Sequence, residues 1–360
     1  LGHMMNSLRR ALMQAWVGQR AQDRGLAMAL WPISAVFGAL VWLRRALYRL
    51  GGFKQHVLPV PVLVVGNVLV GGVGKTPIVM ALVQHLTHQG WRVGVLSRGY
   101  GRLPNSDKKQ PDIRPVLPDS AAQDVGDEPL LIARNCQVPV WVGSNRAAAG
   151  LALLKQHPDV DVLVCDDGLQ HWLLARDLEL CVFDERGVGN GCLLPAGPLR
   201  EPWPRSAWRH PVTRRDVPMW VVQTSGQTPP GAFTVRRELA TFARQADGTQ
   251  RSLQSWVNTP VQALAGIAKP EVFFDMLRAQ GLQLAHTQAL PDHADVRGLT
   301  LNLAWGDVLC TEKDAVKLWA QHPQAWAVPL LTELPSALLQ AIDTALPSTK
   351  NPKLSSPHGH

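Results

Sequence analysis

Val60-Pro61-Val62-Leu63-Val64-Val65-Gly66 runs into Gly71-Gly72-Val73-Gly74-Lys75-Thr76-Pro77, and this passage decides the fold. The valine-rich run predicts a buried parallel strand. A glycine-rich turn follows, then Lys-Thr, then a proline expected at the first helical position. Strand, glycine loop and helix, in that order, are what a phosphate-binding loop requires. Glycines let backbone N–H groups close in on phosphate oxygens, and the positive end of the helix favours the anion. In such a loop Lys75 reaches the β- and γ-phosphates and the Thr76 hydroxyl ligates Mg²⁺. The nucleotide-holding candidates are therefore Leu69, Val70, Gly71, Gly72, Val73, Gly74, Lys75 and Thr76. Leu69 stands where the usual G-x-x-x-x-G-K-[ST] pattern has its first glycine.

A second strand, Asp161-Val162-Leu163-Val164-Cys165, ends in Asp166-Asp167-Gly168. In a doubly wound sheet the carboxyl ends of the strands share the ligand-binding edge. One acid there can hold Mg²⁺ directly or through water; Asp-Asp-Gly is also a common turn. Further strands are expected at Arg92–Ser97, Val138–Val142, Leu180–Phe183 and Trp220–Val222, and helices at Ile78–His88, Leu130–Asn135 and Arg146–Gln156. Leu103–Ala121 and Pro195–Pro211 read as irregular. The alternation indicates an α/β fold, a P-loop NTPase-like parallel sheet with helices on both faces. A smaller second α/β domain follows, with strand Val261–Ile267, helix Pro270–Gln280, and strands Leu282–Leu290 and Val308–Cys310. The expected division is residues 1–50 as a helical, membrane-associating segment, 51–222 as the nucleotide-binding domain, 223–231 as a linker, 232–346 as the smaller domain and 347–360 as a disordered tail.

Hydrophobic residues make up 46% of the 360 and charged residues 18%, which excludes bulk disorder. The net charge of +8 suits an anionic partner such as nucleic acid, acidic lipid or a phosphorylated substrate. No zinc finger, RNA-recognition or helix-turn-helix signature accompanies it, so no nucleic-acid partner is expected. The five cysteines are scattered without a C-x-x-C pair, which points to a reducing compartment and no structural zinc. Leu1-Gly2-His3 reads as a vector remnant ahead of a start at Met4 or Met5.

Leu26 to Leu43 carries no charged residue, with Arg20 and Arg24 before it and Arg44, Arg45 and Arg49 after it. Its length touches the lower limit for a bilayer span, roughly 17–25 residues. Pro32, Ser34 and Gly38 weaken that reading, and no small-residue cleavage site argues for a signal peptide. Trp16, Trp31 and Trp42 suit a water–lipid boundary. An interfacial helix, a core helix and a true span all stay open on these residues.

Several motifs together resemble the tetraacyldisaccharide 4′-kinase family of lipid A biosynthesis. Beyond the P-loop they are Ser97-Arg98-Gly99-Tyr100-Gly101-Arg102, Gly126-Asp127-Glu128-Pro129 and Asp166-Asp167-Gly168-Leu169-Gln170-His171, then Gly189-Asn190-Gly191 with Leu193-Leu194-Pro195-Ala196-Gly197-Pro198-Leu199-Arg200-Glu201, Pro291-Asp292-His293 and Thr311-Glu312-Lys313-Asp314. The chain departs from the family at Ala294, where a second histidine is common, and at Leu169, where phenylalanine is common. The resemblance implies transfer of the γ-phosphoryl of ATP to the 4′-hydroxyl of a tetraacylated disaccharide 1-phosphate. It implies a peripheral enzyme on the cytoplasmic face of the bacterial inner membrane, docked by its amino-terminal helix. It also implies Asp127 as the base and His293 as the partner orienting it; local sequence alone makes Asp127 a helix-start residue favoured by the dipole. Asp167 and Glu128 join Thr76 as candidates for the metal. Arg98, Arg102, Asp166, Gln170, His171 and Arg200 are candidates for the substrate, each with a plain alternative as a turn or surface residue. The rival reading is a P-loop switch or partitioning-type ATPase, whose loops usually carry a lysine where this chain has Val70.

Overall fold

The computed structural model describes residues 12–16, 21–103, 112–294, 296, 298–302 and 305–347. The expected start at Met4 or Met5 and the tail from 348 lie outside these. The chain forms two compact units, each assembled from two separated stretches: residues 1–75 with 167–234, and residues 76–166 with 235–360.

In the first unit, strand Val62–Gly66 is buried along its whole length. It pairs in parallel with Leu178–Phe183, Leu63 opposite Leu178 and Gly66 opposite Cys181. Met219–Gln223 and Phe233–Thr234 extend the parallel run outwards. Strands buried on both faces need apolar residues at every position, which is why the valine run shows no alternation. Helix Ala21–Arg49 belongs to this unit and keeps Pro32 inside it. The stretch expected to be irregular contains a two-residue strand, Trp208–Arg209, paired with Asp216–Val217.

The second unit starts inside the P-loop helix, which spans Lys75–His88. Pro77 is therefore its third residue rather than its first. The correction costs the helix nothing, because first-turn N–H groups have no intrahelical acceptor. Strands Val93–Ser97, Val140–Gly143 and Val162–Asp166 pair in parallel. Ile113–Val116 adds an antiparallel edge strand within a stretch that reads as loop. Polar composition and Pro115 hide it; an edge position tolerates proline because one side of the strand needs no donor.

The same unit carries a six-stranded sheet in the order Gln250–Ser252, Phe242–Arg244, Trp326–Val328, Val308–Thr311, Val261–Ala265, Leu284–Ala289. Its core on one face gathers Trp256, Phe273, Phe274, Leu277 and Leu309. A second cluster of Leu264, Cys310, Ala315 and Leu318 packs helix Glu312–Leu318. Arg236–Leu239 and Leu330–Glu333 form an antiparallel ribbon.

Candidate active site

In the first unit the P-loop closes with Gly71 at φ 94° and Gly74 at φ 79°, values that side-chain-bearing residues rarely adopt. Leu69 is fully buried and bridges to Leu199, so the position lacking the usual glycine serves packing. The Pro198-Leu199-Arg200 segment lies along the loop: Val70 N–H donates to the Pro198 carbonyl and Arg200 N–H to the Val68 carbonyl.

Lys75 Nζ stands 3.2 Å from Asn67 Oδ1 and 3.4 Å from Asp167 Oδ1. Arg200 pairs with the same Asp167 carboxylate at 3.2 Å and donates to Asn67. Asp167 holds a left-handed backbone, φ 49°. Burial works against its charge, yet Lys75 and Arg200 hold its carboxyl well below the usual carboxylate range. Gln170 donates to the Asn67 carbonyl at 3.0 Å and to Glu201 at 2.6 Å, so it braces the loop from behind. His171 is half-buried one turn further on, its carbonyl accepting from Arg176.

In the second unit Thr76 is buried in the first turn of the P-loop helix. Asp166 ends its strand 1% exposed and accepts from Ser97 Oγ at 3.4 Å. Arg98 is exposed. Arg102 turns its guanidinium to Asp112, both side chain and carbonyl.

Asp127 opens helix Asp127–Cys136 and is 5% exposed. His293 Nδ1 lies 3.1 Å from each of its carboxylate oxygens, and Lys317 Nζ 3.4 Å from Oδ2. Burial pushes the Asp127 carboxyl up; the His293 hydrogen bond, Lys313 and Lys317 outweigh it and hold it at about 2. The bond to Asp127 raises His293 in turn. His293 also has a left-handed backbone, φ 61°, and its ring lies 5.1 Å from that of Tyr100. Lys313 Nζ is 2.9 Å from both Glu128 and Asp292 and 3.3 Å from His293 Nε2. Burial opposes its charge, but Glu128, Asp127 and Asp292 raise its pKa.

The structure thus brings Asp127 and His293 together, and Lys75 with Asp167 and Arg200. Sequence reasoning assigned no role to Asn67, Arg186, Lys313 or Lys317. A signal for the lysines existed: Thr311-Glu312-Lys313-Asp314 is a helix-start signature, and residues four apart share a helix face.

A buried parallel strand, a glycine loop ending in Lys-Thr and the helix that follows define a P-loop nucleotide-binding protein. Comparison with known proteins narrows this class. The family model of tetraacyldisaccharide-1-phosphate 4′-kinases, LpxK, matches residues 26–347. A tetraacyldisaccharide 4′-kinase of Acidovorax ebreus is 51% identical over 91% of this chain and 93% of its own. One of Polaromonas naphthalenivorans is 49% identical over 98% and 99%. The structure of apo-form LpxK from Aquifex aeolicus in complex with ATP superposes with a TM-score of 0.72 at 29% identity, covering 89% of this chain and all of that one. The chain belongs to the tetraacyldisaccharide 4′-kinase family and is a kinase acting on a hydroxyl group.

Proposed function

We propose that Asp127 takes the proton of a sugar 4′-hydroxyl while that oxygen attacks the γ-phosphorus of ATP. The acceptor is a tetraacylated disaccharide 1-phosphate. The new O–P bond forms as the bond from the γ-phosphorus to the β,γ-bridging oxygen breaks, and that electron pair leaves on ADP. The observation that carries the reading is the buried Asp127 carboxylate, kept ionised and aimed by one imidazole nitrogen reaching both its oxygens. Its weak basicity suits a loose transition state, in which the leaving bond is largely broken before the proton moves. Lys75 steadies the β- and γ-phosphates, and Arg200 adds a planar donor fork for phosphate.

Thr76, Glu128 and Asp167 are the chain's candidates for Mg²⁺: each offers a hard oxygen donor, the kind that ion takes alongside water and phosphate oxygens. When bound, the ion neutralises charge on the β- and γ-oxygens.

The amino-terminal helix supports docking on the cytoplasmic face of the inner membrane. Arg24–Arg49 is long and apolar enough to cross a bilayer. Met28, Trp31, Ile33, Val36, Leu40 and Trp42 are exposed along it. The opposite face is tied to its own unit: Ser34 Oγ donates to the Leu193 carbonyl and accepts from Ala196 N–H, and Arg45 donates to the Ser206 carbonyl. From Ser34 to Arg45 is about 17 Å of helix. A helix pinned over that length lies in the interface rather than crossing it.

The test is Asp127→Asn, followed by transfer of labelled phosphate to the lipid acceptor. The expected loss of kcat is ~10²–10⁴-fold with ATP binding retained. A loss below about tenfold argues against Asp127 as the base.

A further inference from the structure

His293 sits between two lysine contacts. Lys313 reaches the side chain of Asp292, the residue before it, at 2.9 Å. Lys317 donates to the carbonyl of Ala294, the residue after it, at 3.1 Å. Each lysine then closes onto the start of helix Asp127–Cys136: Lys313 onto Glu128 at 2.9 Å, Lys317 onto Asp127 at 3.4 Å. Both side chains are mostly buried, at 15% and 13% exposure.

The helix carrying them is anchored at its start. Thr311 caps helix Glu312–Leu318 by accepting from Asp314 N–H. Asp314 is fully buried and accepts from Gly266 N–H at 2.8 Å, at the end of strand Val261–Ala265. A left-handed backbone at a residue other than glycine is strained, and it persists only where its surroundings over-determine it. At His293 those surroundings include the Asp127 carboxylate, the Tyr100 ring and the two lysine bridges to its chain neighbours.

We propose that Lys313 and Lys317 are positioning residues of the Asp127–His293 pair, each fastening one chain neighbour of His293 to the helix start that carries the carboxylate. The proposal rests on the reading of Asp127 as the base. Lys317 meets the Asp127 carboxylate at 3.4 Å and Lys313 meets His293 Nε2 at 3.3 Å, and acting through these groups they fix the distance and the angle between base and imidazole. A misplacement on the order of 1 Å in such a pair can cost a hundredfold in rate.

The experiment is Lys317→Met in the full chain, read by steady-state kinetics and by ATP binding. The expected result is a fall in kcat of about tenfold or more, an ATP KM within about twofold, and substantial recovery in Lys317→Arg. A kcat loss below about threefold overturns the proposal, as does an equal loss in Lys317→Arg. Lys313→Met, read in the same way, decides the matter should Lys317→Met fail to fold. Asp127→Asn separates the two claims: full activity there removes the base. Where Asp127→Asn is impaired, adding Lys317→Met should cost little more, because its effect runs through the pair, and a full further loss in the double variant overturns the bridging.

Discussion

The guanidinium of Arg186 donates to the carbonyl of Gly72 at 3.1 Å across 114 residues of chain. Its other terminal nitrogen donates to Val70 at 3.2 Å, and Asp184 holds Nε from behind with both carboxylate oxygens. Two loop carbonyls are thereby turned towards Arg186 on either side of Gly71. The N–H groups of a nucleotide loop must point at phosphate, so fixing its carbonyls is a way of aiming its donors.

Arg186→Ala should therefore weaken nucleotide use rather than chemistry. Hydrogen bonds to a charged group contribute about 1.5–3 kcal/mol each, and 1.4 kcal/mol is a factor of ten. The ATP KM is expected to rise by about tenfold or more, with kcat at saturating ATP changed far less. Arg186→Lys should recover only part, since one ammonium cannot span both carbonyls. Steady-state kinetics at saturating acceptor settle it, and an unmoved ATP KM would remove Arg186 from the loop's function.

The Asp127–His293 pair makes stability depend on pH in a specific window. Asp127 is depressed from 3.8 to about 2, so its contribution is fully present above about pH 4 and is lost as the pH falls towards 2. His293 is raised above 6.5, so its contribution is full below that value and fades as the pH rises through the folded one. Both are present together between about pH 4 and pH 6.5. His293→Asn keeps a side chain that tolerates the left-handed backbone but cannot be charged. It should lower the urea midpoint more at about pH 5.5 than at about pH 9. Equal losses at the two values would mean that folding does not raise the His293 titration.

The P-loop strand and helix are legible in the chain because strand, glycine turn and Lys-Thr each follow from local chemistry, and the parallel strands follow from their unbroken apolar runs. What hides is whatever depends on partners distant in sequence. Ile113–Val116 looks like loop because its pairing with Val140–Gly143, not its composition, makes it a strand. Trp326–Val328 and Phe242–Arg244 are too short to carry a period. Asp127 and His293 lie 166 residues apart, and nothing local to either announces the other; the family resemblance paired them. Arg102 shows the converse. Its motif marks it as a substrate candidate, while the folded chain gives its guanidinium to Asp112. Leu69 breaks the loop pattern on paper and is explained only by Leu199 beside it.

The exposed tryptophans of the amino-terminal helix give the membrane reading its sharpest test. Trp31 is 61% and Trp42 68% exposed and share one side of the helix, Val36 and Leu40 are exposed elsewhere around it, and Ser34 and Arg45 bind the protein. Burying a largely exposed tryptophan in lipid is worth on the order of 2 kcal/mol, so removing two should weaken binding to vesicles by well over tenfold. The double variant Trp31→Ser/Trp42→Ser should stay in the supernatant when sedimented with anionic vesicles. Its activity on acceptor dispersed in detergent should match that of the unsubstituted protein, because both rings stand exposed on the helix and pack little of its fold. A helix that crossed the bilayer would behave otherwise: its apolar length would hold it in the vesicle pellet through an alkaline wash despite the loss of both rings. Release by the double variant thus favours a helix lying in the interface, and retention after the wash favours a span and sinks the surface-docking reading.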